Sequence, residues 1–153
     1  MMDASSPPTM PMTTPEIRPK TVDVHTHLWA SSKQLGTAAA RWVREVIDQP
    51  WQRVDASMAA FEEAMTPVRL AIILGFKSDY LGACIPADRV AGYVAQQPHK
   101  YVGFAGIDPM ASGWRDDLQQ AMDLGLAGVT ISPSGQNFHP THTRAIRSGP
   151  CRH

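Results

Sequence analysis

The hydrophobic pattern alternates between short apolar runs and longer stretches with a helical period. A β-branched run over 21–28 predicts a first strand,. From Thr37 to Asp48 the apolar residues Ala39, Trp42, Val43, Val46 and Ile47 recur at helical spacing, with charged residues opposite and Pro50 as a stop,. Asp55 is placed to cap a second helix bearing Met58, Phe61 and Met65, which Pro67 ends,. Val68 to Leu74 is nearly continuous in apolar character, as expected of a strand buried on both faces,. A loop over 75–85 leads to Pro86 and a helix whose stripe is Ala87, Val90, Ala91 and Val94,. A third strand is predicted over 101–107. Ser112 is then placed to cap a helix over 113–124, with Gly125 just beyond its end, and a fourth strand over 126–131 follows,.

Strand and helix patterns alternating at intervals of about 30–40 residues predict βαβ units and a parallel sheet. Two architectures satisfy this: an open doubly wound sheet, or part of a (β/α)8 barrel. A dinucleotide-type fold would carry a Gly-rich loop after the first strand, and none is present,. The barrel is therefore favoured.

Chemistry enters at the end of the first strand, in Thr21-Val-Asp-Val-His25-Thr-His27-Leu-Trp29. A strand has a side-chain period of two, so Asp23, His25 and His27 are expected on one face, with Val22, Val24 and Thr26 on the other. Two imidazoles on one face near a strand end make half of a metal site.

The bulk numbers narrow the setting without changing it. The 153 residues suit one folded domain, and 43% apolar content with zero formal net charge describes an ordinary globular chain,. No basic patch is present to neutralise phosphates, so nucleic acid is not an expected partner. No apolar run approaches the roughly 18 residues of a membrane span. Residues 1–20 hold five prolines and little apolar periodicity, which predicts a disordered leader rather than a secretory signal,. Cys84 and Cys151 match no zinc or redox spacing and read as reduced thiols of a cytoplasmic protein,.

The segment Asp23-Val-His25-Thr-His27-Leu-Trp29 resembles the first strand of the amidohydrolase superfamily. Later segments resemble one branch of it, the amidohydrolase-related proteins similar to aminocarboxymuconate-semialdehyde decarboxylase. These are Ile85-Pro-Ala-Asp88, the run from Pro98 to Pro109, the run from Leu124 to Pro133, and Gln136-Asn-Phe-His-Pro140. The resemblance runs from about residue 21 to about residue 142, in order.

The resemblance implies a (β/α)8 TIM barrel with one divalent metal, usually zinc, at the carboxyl ends of its strands. Its first two ligands would be His25 and His27, with more histidines from later strands and an Asp from the last. Members hydrolyse C–N or C–O bonds or decarboxylate aromatic and related unsaturated acids, acting on small-molecule substrates. Branches with two metals bridge them by a carbamylated lysine on the fourth strand. Thr130 stands at the best-matched position and cannot form a carbamate, which implies a mononuclear site. Asp108, at the end of the third strand, and Gln136, Asn137 and Phe138, in the loop after the fourth, are placed where such barrels contact substrate.

A full barrel needs about 250 residues, whereas residues 21–153 supply about 130 with no further apolar run after Ile131. The expectation is thus the N-terminal half, about four βα units, of a truncated barrel without its later ligands. His139 and His142, spaced i, i+3, are the candidates to stand in for them. Exposed strand edges would favour self-association. The alternative to catalysis is a non-catalytic remnant or interaction module.

Overall fold

The computed structural model describes residues 21–29, 32–37, 40, 41, 45 and 58–142. Residues 1–20 and 143–153, most of the helix expected over 37–48, and Asp55 lie outside the described residues. The described chain is an α/β structure with a four-stranded parallel sheet and three helices. The sheet strands are β1 (Thr21–Thr26), β2 (Val68–Leu74), β5 (Tyr101–Gly106) and β6 (Gly128–Thr130). A separate antiparallel hairpin joins β3 (Phe76–Ser78) to β4 (Ala83–Ile85), and the helices are α1 (Met58–Ala64), α2 (Ala87–Val94) and α3 (Trp114–Asp123).

The sheet order is β1-β2-β5-β6, so each parallel strand lies beside its predecessor in sequence. All three helices cover the same face. Ala71 and Ile73 of β2 and Tyr101 of β5 pack with Val90 and Tyr93 of α2 and with Phe61 of α1. Ala105, two residues on from Gly103 and four from Tyr101, packs with Trp114 and Ala121 of α3. A Cβ on Gly103 would meet the side chains of Leu126, Val90 and Val94 at 2.7–3.0 Å, so Leu126 and α2 pack closely on the sheet at this position. Burying residues such as Ile73 and Val90 contributes about 1.5–3 kcal/mol each. On the opposite face Ile72, Leu74, Val102 and Phe104 are only half-buried.

The ends of α3 show how local sequence sets the elements. Gly125 adopts φ 68°, its N–H donates to the Met122 carbonyl, and the Leu126 N–H donates to the Ala121 carbonyl. This is a Schellman motif, and the glycine is there because the left-handed conformation suits a residue without a Cβ. The amino end differs from expectation. Gly113, not Ser112, is the N-cap, and no side chain caps it. Asp117 in the first turn instead ion-pairs with Lys77 of the hairpin at 2.6 Å.

The hairpin itself replaces the loop expected over 75–85. It presses on the strand ends: a Cβ on Gly106 would lie 2.4 Å from the Phe76 backbone, and one on Gly75 would lie 2.5 Å from the Gly106 nitrogen. These two glycines permit backbone-to-backbone contact where the hairpin leaves the sheet.

At the amino ends of the strands sits a closed polar cluster. Glu62 of α1 accepts hydrogen bonds from the Tyr93 and Tyr101 hydroxyls and from Gln97. The tyrosine ring centroids are 5.2 Å apart with planes tilted by 38°, and Phe61 is edge-on to Tyr93.

Candidate metal centre

Both histidines leave β1 at its carboxyl end. The pairing of β1 with β2 is irregular between Asp23 and Thr26, where three steps on β1 match two on β2. Strict alternation therefore fails through this stretch. Asp23 pairs beside Ala71, a helix-side residue, and its carboxylate accepts the His25 backbone N–H at 2.9 Å. His25 and His27 stay together beyond the irregularity, with ring centroids 5.0 Å apart and planes at 80°.

The His27 Nδ1 lies 2.7 Å from the Leu74 carbonyl oxygen. A carbonyl only accepts, so Nδ1 carries the proton, and in the neutral ring Nε2 keeps its lone pair. Burial lowers the His27 pKa, and the nearby His25 ring lowers it further, against the opposing hydrogen bond to Leu74,. The ring is thus neutral at neutral pH, the form that ligates metal.

The two Nε2 atoms are 3.2 Å apart. Two nitrogens each about 2.0–2.1 Å from a tetrahedral zinc would be separated by about 3.3–3.4 Å. The pair is therefore spaced as two cis ligands, and the carbonyl partner on Nδ1 is the usual outer support of a metal-bound imidazole. Trp29 lies between His27 and Phe76, its ring centroid 5.9 Å from each.

These rings open onto a cleft of about 400 Å³ at the carboxyl ends of β1, β2 and β6, walled also by Gly75, Phe76, Thr130 and Ser132. That volume lies within the range of small-molecule sites. Thr130 donates its hydroxyl to the Gly75 carbonyl at 2.6 Å.

The residues expected to contact substrate are placed elsewhere. Asp108 is 1% exposed, and its carboxylate accepts the backbone N–H groups of Asp79 and Met110, each at 2.9 Å. Gln136 is 3% exposed: its amide donates to the Lys77 and Ile107 carbonyls and accepts from the Ser132 N–H. Both donors of that amide are engaged, so it ties the hairpin to the loop after β6. Asn137 is exposed at φ 53°, a conformation asparagine tolerates, and Phe138 is half-buried with its N–H on the Pro133 carbonyl,. None of the four walls the histidine cleft.

His139 and His142 lie on an exposed turn, where the His139 Nδ1 pairs with the Thr141 hydroxyl at 2.8 Å. Among the described residues no group of three or more His, Cys, Asp or Glu side chains is arranged to hold a metal. Cys84 is a free, exposed thiol beside the Lys77–Asp117 pair. No helix of the described residues is long and apolar enough to cross a membrane.

Of the cleft residues, Leu74, Gly75, Phe76, Val129, Ile131 and Ser132 had no site role expected from sequence, and Thr130 stood out only for its lack of an amine. For Thr130 and Ser132 a signal existed, since both lie at or just past the carboxyl end of a parallel strand, where α/β folds put their sites. Comparison with family models, with curated proteins and with solved structures finds no match for this chain.

Proposed function

We propose that this chain is a metal-dependent hydrolase or decarboxylase of the amidohydrolase-related kind, binding a divalent cation, zinc foremost, through His25 and His27. The observation that carries the reading is the 3.2 Å separation of two Nε2 atoms facing an open cleft, one of them oriented by a backbone carbonyl. Sequential strand order with helices on one face supports an arc of a singly wound (β/α)8 barrel. A doubly wound sheet would reverse its order and carry helices on both faces. Thr130, with no amine to carbamylate, supports one metal rather than two. When bound, the ion would polarise a small carboxylate-bearing or cyclic substrate, or lower the pKa of a bound water towards about 7. The chain's own residues would orient the first imidazole pair and line the pocket with Phe76 and Ser132. We place the protein in the cytoplasm because Cys84 is a free thiol and neither Cys84 nor Cys151 follows a zinc or redox spacing,.

A catalytic zinc takes three protein ligands, and the described residues furnish two together. That favours, as the second reading, a binding or interaction module without turnover. Titration of the purified chain with zinc and cobalt(II), followed by assay on a panel of aryl and enoic acids, separates the two. Stoichiometric metal with metal-dependent turnover supports the enzyme, and metal without turnover supports the module. No stoichiometric metal overturns the site.

A further inference from the structure

Three hydrogen bonds run in series across the carboxyl ends of the sheet, and they converge on the atom that orients His27. The His27 Nδ1–H donates to the Leu74 carbonyl at 2.7 Å. That carbonyl belongs to the Leu74–Gly75 peptide, whose N–H donates to the Phe104 carbonyl of β5 at 2.7 Å. The next carbonyl, Gly75, accepts the Thr130 hydroxyl from β6 at 2.6 Å, while the Ala105 carbonyl is a longer second acceptor at 3.3 Å. Gly75 has no room to shift towards β5, since even a Cβ would lie 2.5 Å from the Gly106 nitrogen. Past the last residue of β2 the chain turns into the hairpin, so the ladder beyond Gly75 does not hold this carbonyl. Among the described residues, the side chain that reaches it comes from the fourth parallel strand, 55 residues away in sequence.

We propose that Thr130 is a positioning residue for His27: by holding the Gly75 carbonyl, it fixes the Leu74–Gly75 peptide against Nδ1 and keeps the Nε2 lone pair facing His25. A hydroxyl at this position is required because the Gly75 carbonyl can only accept. Valine has the same shape and cannot donate. The inference rests on the metal-binding reading for its purpose, but its first readout needs no metal.

The test compares the full-length wild type with T130S, T130V and T130A. Nitrogen NMR of the metal-free imidazoles reports the His27 tautomer, cobalt(II) titration reports affinity, and urea unfolding reports integrity. Wild type and T130S should hold the proton on Nδ1 in a slowly exchanging hydrogen bond. T130V and T130A, still folded, should show mixed tautomers and bind cobalt(II) about tenfold more weakly, as loss of outer-sphere support does. Unchanged tautomer and affinity in either folded variant overturns the proposal. So does failure of both T130V and T130A to fold, because the hydroxyl would then serve the fold rather than the ligand. If cobalt(II) binds to none of the four while the tautomer still follows the hydroxyl, the metal reading falls and the positioning of His27 stands.

Discussion

At the amino end of the strands, Glu62, Tyr93, Gln97 and Tyr101 satisfy one another and seal the sheet against α1 and α2. At the carboxyl end, His25 and His27 turn two nitrogen atoms on each other at the mouth of an open cleft. The first arrangement stabilises, since each hydrogen bond there has its partner within the fold. The second sets two ring nitrogens 3.2 Å apart beside open space. The difference teaches where to look for function in a parallel α/β sheet: at the end where polar groups are oriented but not used up.

That contrast breaks most sharply under substitution of the two histidines. Replacing both His25 and His27 by alanine should abolish cobalt(II) binding, while unfolding free energy changes by about 1–2 kcal/mol, the scale of the hydrogen bonds lost at Leu74 and between the two rings,. Titration and urea unfolding on the same samples check it. A large loss of stability with binding retained would reverse the assignment of the two ends.

Next in size is Gly106→Ala. Its Cβ would meet the Phe76 backbone at 2.4 Å, and backbone cannot rotate away as a side chain can. The expected cost is about 2–3 kcal/mol by urea unfolding, within the range of overpacking. Gly92→Ala on α2, where a Cβ meets nothing within 4 Å, is the control. It should gain about 0.5–1 kcal/mol through helix propensity. Equal effects at the two sites would refute the close approach at the carboxyl end.

Much of this was legible in the sequence where a pattern was long enough to have a period. Val68–Leu74 and Tyr101–Gly106 appear as strands within a residue of expectation, because seven and six residues of apolar character leave little else,. Gly125 announced the end of α3, since its conformation is set locally. The hairpin was not legible: Phe76–Ser78 and Ala83–Ile85 are three residues each, too short for alternation to register. At the site, the histidine pair was expected from the period of a strand; the two rings do lie together, but across a register irregularity that leaves Asp23 paired beside Ala71. Asp108, at the end of the third strand, and Gln136, in the loop after the fourth, stand where barrels contact substrate, yet both side chains turn inward,. Their partners are backbone groups up to 59 positions away, and no local pattern encodes a partner that tertiary folding supplies. The hydrogen bond from the Thr130 hydroxyl to the Gly75 carbonyl, 55 positions away, was hidden for the same reason.

Tyr93→Phe probes the sealed end. It removes one of the two tyrosine donors to Glu62 and leaves the ring in place, so the expected loss is about 1 kcal/mol,. Cobalt(II) affinity should not change. A change in affinity would show that the two ends are coupled through the sheet.

The smallest effect is one of pH, and its sign follows from the same cluster. Burial pushes the Glu62 carboxyl up, but hydrogen bonds from Tyr93 and Tyr101, the Lys100 charge and Gln97 together hold it below the usual carboxylate value,. A folded pKa below the unfolded one adds stability above about pH 4.3, which is lost as pH falls through the folded value. Tyr93 moves the other way, its pKa raised by burial and by the Glu62 hydrogen bond, so its contribution holds below about pH 10 and fades as pH rises beyond,. Glu62→Gln keeps an acceptor oxygen for Tyr93 and removes the ionisation. The wild type should exceed this variant by less than about 1 kcal/mol at pH 7, because solvent screens the carboxylate. That margin should shrink once pH falls below about 4.3, the unfolded value, and disappear as pH passes through the folded value,. A margin that is constant from pH 3 to pH 7 would mean that Glu62 acts in the cluster by shape and hydrogen bonding alone, and that the sealed end carries no charge-dependent stability.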